Sequence, residues 1–172
     1  DLFIANAGVM IPPAASSERW DDVAQTLQIN VMGTLAMVVP LAQRMSARGG
    51  GQIALMSSLA SYRGLPAAPA YSASKAALRA YGEGIRPRLA ESSVKVSVIC
   101  PGFVESAMSR RFPGPKLFVC TPEAAAARIR RSLRRNQAHI AFPFALAFST
   151  AFVAALPVTW GDVLLRWFNG PR

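Results

Sequence analysis

Three short apolar runs, separated by long stretches of helical periodicity, constrain this chain more than any other feature. Leu2-Phe-Ile-Ala5, Gln52-Ile-Ala-Leu-Met56 and Val94-Lys-Val-Ser-Val-Ile-Cys100 each read as a buried strand, and Ala138-His-Ile-Ala-Phe142 supplies a fourth. Between the first two, Val23, Leu27, Val31, Leu35, Val38, Ala42 and Met45 step by three and four, which predicts a helix over about 18–48. Asn30, Gly33 and Pro40 interrupt it, so a kink or break is expected. A second helix is predicted over about 70–90, and a third opens at Thr121-Pro122-Glu123: a capping hydroxyl, a proline at the first helical position and an acid in the first turn. Strands alternating with helices predict an α/β fold with a parallel sheet covered on both faces. The Gly49-Gly50-Gly51 run precedes a strand rather than opening a helix, so it reads as a helix cap and turn, not a phosphate loop.

Composition supports one globular domain. The 172 residues are 52% hydrophobic and 16% charged. Cys100 and Cys120 form no disulfide framework, which fits a reducing, cytoplasmic setting, and no Cys/His/Asp cluster has metal-ligand spacing. Net charge is +10, a balance that suits an anionic cofactor or an acidic surface. No nucleic-acid recognition module accompanies it.

The chemistry centres on Tyr71-Ser-Ala-Ser-Lys75, with Ser58 thirteen residues upstream. Tyrosine and lysine four apart share one helix face. An ammonium ~4 Å from a phenol, at an effective dielectric of ~20, is worth roughly 4 kcal/mol, about three pKa units. The spacing therefore predicts a phenol lowered into the range of a working acid/base. Asn6-Ala-Gly8 after the first strand, Asn30-Val-x-Gly33 inside the helix, Ser57-Ser58 ending the second strand, the Tyr71/Lys75 pair, and Pro101-Gly102-x-Val104-x-Ser106 after the third strand complete the pattern.

Five motifs in this order resemble the short-chain dehydrogenase/reductase family, over about residues 1–142. The resemblance implies a Rossmann-like, doubly wound parallel sheet, incomplete at the N-terminus, with residues 143–172 as an apolar helical extension. It implies an NAD(P)-dependent oxidoreductase that interconverts a carbonyl and an alcohol. Tyr71 would be the acid/base, Ser58 would hold the carbonyl oxygen, Lys75 would tune Tyr71 and bind the nicotinamide ribose, and Asn30 would hold a relay water at the helix kink. Asn6, Ala7 and Gly8 would lie along the adenosine side of the cofactor. Pro101, Gly102, Val104 and Ser106 would contact the nicotinamide; the family usually has threonine where this chain has Ser106. NADP(H) is favoured over NAD(H) by the basic charge alone.

The family's glycine-rich phosphate loop lies upstream of the matched motifs, and nothing before Asp1 supplies it. The part that would carry it amounts to roughly 75–90 residues, at ~30 per βαβ unit. The isolated chain is accordingly expected to bind cofactor weakly or not at all. A non-catalytic scaffold with a membrane-surface or protein-interaction role stays open as the alternative.

Phe103, Met108, Phe112, Leu117 and Phe118 in the loop 103–120 point to a hydrophobic small-molecule substrate. Arg128-Ile-Arg-Arg-Ser-Leu-Arg-Arg135, followed by Phe144, Phe148, Phe152, Trp160, Trp167 and Phe168, suggests membrane contact through 128–168. His139 reads as structural. The resemblance implies that the helices at 18–48 and 70–90 pair copies into a homo-oligomer, a dimer or tetramer.

Overall fold

The computed structural model describes residues 1–11, 18–112 and 114–169. Pro12 and Pro13, expected in the first loop, lie outside them. Four strands form one parallel sheet in the order β1 (Leu2–Ala5), β2 (Gly51–Met56), β3 (Val94–Pro101) and β4 (His139–Phe142). Because all four run the same way, their carboxyl ends make one rim. Asn6, Ser57, Gly102 and Pro143 follow those ends.

Side chains alternate across a sheet, and the two faces are covered differently. On one face Ile53, Leu55, Val94 and Val96 pack with Val38, Ala42 and Met45 of α2 (Thr34–Arg48) and Leu89 of α3 (Pro69–Ala90). Val98 and Cys100 continue that face under Leu59 and Ala147, the latter from α6 (Phe144–Ala155). On the other face Ala54, Ile99, Ile140 and Phe142 pack with Ala125 and Leu133 of α5 (Pro122–Arg134). α5 does not reach β1. Leu2 and Ile4, on that side of β1, are 49% and 41% exposed. The expected burial of the first strand therefore holds only for the face carrying Phe3 and Ala5.

The expected interruption of the first long helix is a π-turn. α1 (Trp20–Leu27) passes into a wide turn over Gln28–Gly33 and then into α2. Pro40 sits inside α2 without ending it. Nor is the buried stripe the apolar one. Thr26, Asn30 and Thr34 are buried ahead of Val38, Ala42 and Met45, while Val23, Leu27, Val31 and Leu35 are only half-buried. Polar groups occupy the stripe where it approaches the strand ends. Gly49 caps α2 with a left-handed backbone (φ 73°), as its place before β2 predicts.

α3 approaches the sheet most closely at Gly82. A Cβ there would lie 2.6 Å from Val98 Cγ2 and 2.7 Å from Leu55 Cδ1. After β4 the chain continues into α6 and α7 (Val158–Asn169). α5 and α6 thus lie on opposite faces of the sheet, so the arginines of α5 and the aromatics of α6 do not form the single surface that their adjacency in sequence suggests. The side chains of Trp167 and Phe168 lie outside the described residues.

Candidate active site

Ser58 ends β2's exit and caps a short 3-10 turn, Leu59–Ser61, its Oγ accepting from Ala60 N at 3.1 Å. A capping serine is pinned on the rim by its own backbone turn. Tyr71 and Lys75 stand one turn apart at the start of α3, which Pro69 opens. Ser57 locks that start from below: its Oγ donates to the Lys75 carbonyl at 2.7 Å.

Lys75 is 3% exposed, and its Nζ donates to the Met56 carbonyl at 2.9 Å. An ammonium has three donors. Among the described residues the other two have no acceptor. Burial pulls the Lys75 pKa down to about 8, with Cys100 pulling the other way.

The expected effect of Lys75 on Tyr71 is not what the geometry produces. Nζ lies 5.7 Å from the Tyr71 ring centroid and is turned to Met56. Burial raises the Tyr71 hydroxyl above the ordinary phenol value, and the Ser58 hydroxyl beside it pulls it back part of the way. In this arrangement Tyr71 is a phenol that keeps its proton.

Asn30 is fully buried, and both protons of its amide are used. Oδ1 accepts from Val9 N at 2.7 Å; Nδ2 donates to the Val9 carbonyl at 2.8 Å and to Ser74 Oγ at 2.9 Å. Ser74 in turn donates to the Tyr71 carbonyl at 2.7 Å. One asparagine therefore ties the segment after β1 to the helix carrying Tyr71 and Lys75. Both amide protons are taken, and the one acceptor site of Oδ1 beyond Val9 is what its side chain has left to offer a water. Gly8 fits into the same corner. A Cβ on it would come within 3.1 Å of Lys75 Nζ and 3.2 Å of Asn30 Oδ1. Asn6 and Ala7 are exposed just before it.

Pro101 ends β3 beside Phe142, and Gly102 N donates to the Phe142 carbonyl at 2.7 Å. Val104 bridges to Cys120, and Ser106 caps the short α4 (Ala107–Arg110), its Oγ accepting from Ser109 N at 3.0 Å. This segment is held by its own bonds rather than by the Tyr71 cluster. His139 meets Tyr62 Oη at 3.2 Å and Cys100 Sγ at 3.5 Å, behind the rim, as a structural contact.

Sequence reasoning missed Ser74, and it read Ser57 as part of a motif without a role of its own. The signal was present: Ser74 is three residues after Tyr71, on its face of the helix. Val9 and Met56 were invisible because they contribute only backbone.

The profile of the short chain dehydrogenase family matches residues 1–115. The chain belongs to the short-chain dehydrogenase/reductase family. This member is 35% identical to an uncharacterized oxidoreductase of Myxococcus xanthus over 166 residues, 96% of this chain and 66% of that one. It is 27% identical to the ketoacyl reductase HetN of Nostoc, covering 98% of this chain and 62% of HetN. The chain thus spans less than two thirds of the length of these curated relatives. Its fold is similar to that of a short-chain dehydrogenase from Burkholderia cenocepacia solved in complex with NADP, with a TM-score of 0.81, 27% identity, and 95% and 70% of the two chains covered.

Proposed function

We propose that the chain carries the proton-handling half of an NAD(P)-dependent oxidoreductase that interconverts a carbonyl and an alcohol on a hydrophobic substrate. The observation that carries this is a buried ammonium with two unused donors, one helical turn from a protonated phenol that Ser58 adjoins. In the reducing direction Tyr71 donates its proton to the carbonyl oxygen, and Ser58 donates a hydrogen bond to the same oxygen as charge develops there. A phenol raised by burial is suited to give that proton.

The residues present fit a nicotinamide dinucleotide. The free donors of Lys75 suit ribose hydroxyls, and Gly8 keeps the corner beside Nζ open, where a side chain would intrude. Asn6, Ala7, Gly8, Tyr71, Lys75, Pro101, Gly102, Val104 and Ser106 would line the cofactor. When bound, it supplies or accepts the hydride. The net charge of +10 favours NADP(H) over NAD(H); the Burkholderia relative was solved with NADP.

In this proposal residues 1–142 are the oxidoreductase part and 143–172 an extension. Exposed Leu117, Phe118 and Val119 (45%, 60% and 44%) offer the substrate an apolar wall. Met32, Met37 and Val39, exposed on the π-turn and α2, are where a second copy would pack. A membrane contact would use α6, whose Phe144, Phe148 and Phe152 are exposed at helical spacing, without the α5 arginines.

The test is NADPH oxidation by the full-length protein with a panel of hydrophobic ketones. Tyr71→Phe should lower kcat at least a hundredfold. An unchanged rate in that variant would refute the assignment.

A further inference from the structure

Ser58 and Tyr71 are joined by a connection of twelve residues, and its middle is fastened from outside the sheet. Arg63 extends into the corner between α6 and α7, with a side chain only 14% exposed. One terminal nitrogen donates to the Val153 carbonyl at 3.3 Å. The other donates to the Val158 carbonyl at 2.6 Å and to Asp162 Oδ1 at 2.9 Å. Gly161 is the seat: it is buried, and a Cβ on it would overlap the guanidinium. A planar fork satisfied by three acceptors against a bare glycine is geometry that arginine fills and lysine does not.

The same connection is held on its other sides. The Tyr62 hydroxyl meets His139, and the Arg79 guanidinium lies over the Tyr62 ring at 4.7 Å. Leu65 N donates to Ser72 Oγ at 3.1 Å. α6 also leans on the neighbouring rim segment, since a Cβ on Gly102 would meet Leu146 Cδ2 at 2.9 Å and Pro143 Cδ at 3.1 Å. The terminal helix pair therefore bears on both sides of the rim where Ser58 sits.

We propose that Arg63 is a positioning residue: it latches α6–α7 onto the Ser58–Tyr71 connection, so that the C-terminal helix pair fixes the placement of the Ser58 and Tyr71 hydroxyls. This rests on the assignment of Ser58 and Tyr71 above. Small displacements of reacting groups carry large rate penalties, which is why a latch five residues from Ser58 can matter to the chemistry.

The experiment uses the full-length protein with Arg63→Ala, Arg63→Lys and Asp162→Asn. Amide hydrogen exchange is followed over 59–68 and 156–164. Steady-state rates are measured with NADPH and 2-octanone. Arg63→Ala should speed exchange in both segments by about tenfold or more and lower kcat by about tenfold, with KM for NADPH within about twofold. Arg63→Lys and Asp162→Asn should fall between it and the parent. Faster exchange confined to 156–164 with kcat unchanged overturns the proposal, because the latch would then hold the helices and not the site. If Arg63→Ala does not fold, the two milder variants decide on the same criteria. If Tyr71→Phe leaves the rate unchanged, the catalytic assignment fails by itself, and exchange in 59–68 alone then decides whether the latch exists.

Discussion

Lys75 carries its ammonium into a nearly water-free position and meets one carbonyl there, that of Met56. Its pKa falls from 10.5 to about 8. The unfolded chain thus holds this proton more tightly than the folded one, and stability due to Lys75 rises with pH between those two values. The difference amounts to about 3 kcal/mol. Tyr71, Tyr62 and Cys100 work in the opposite sense, since burial raises all three and their contribution falls once the unfolded groups ionise. The lysine is isolated by comparison with Lys75→Met. We expect urea unfolding to show the parent gaining on the variant from pH 8 to 10.5, and a parallel pair of curves would show that Lys75 is not strained. The Tyr71/Lys75 spacing was legible in the sequence. The effect of one on the other was not, because it depends on which way the ammonium turns, and Met56 turns it through a backbone atom that no side-chain pattern reports.

At the scale of elements, the strands and helices followed from periodicity and from capping residues such as Thr121 and Gly49. The π-turn did not. Asn30, Gly33 and Pro40 all interrupt the helical pattern, and only the partners of Asn30 decide among them: Val9 and Ser74 reach it from other elements. For the same reason the buried stripe begins as Thr26, Asn30 and Thr34 rather than with its apolar neighbours. The packing of α3 is equally a matter of contact. Gly82 lets the helix lie against Leu55 and Val98, and Gly82→Ala should destabilise the fold by about 1–3 kcal/mol through overpacking. Thermal unfolding of this variant beside Gly84→Ala gives the comparison, since Gly84 has nothing near it and its substitution should be neutral or stabilising. Equal melting points would mean that α3 does not press on the sheet there.

For the molecule as a whole, the two edge strands of the sheet are covered differently. β4 is flanked by α5 and α6 on its two faces. β1 pairs only with β2 among the described residues, and on the face opposite α2 it presents Leu2 and Ile4 to solvent. The consequence is colloidal. An unpaired parallel edge beside bare aliphatic side chains is a template for any other extended chain, including another copy. The 172-residue chain by itself should scatter light increasingly with concentration, and Ile4→Lys should suppress that by setting a charge on the edge strand. Scattering that ignores both concentration and this substitution would place the sticky surface elsewhere, with the phenylalanines of α6 next in line. Whoever purifies this chain alone would then meet its open edge first as turbidity.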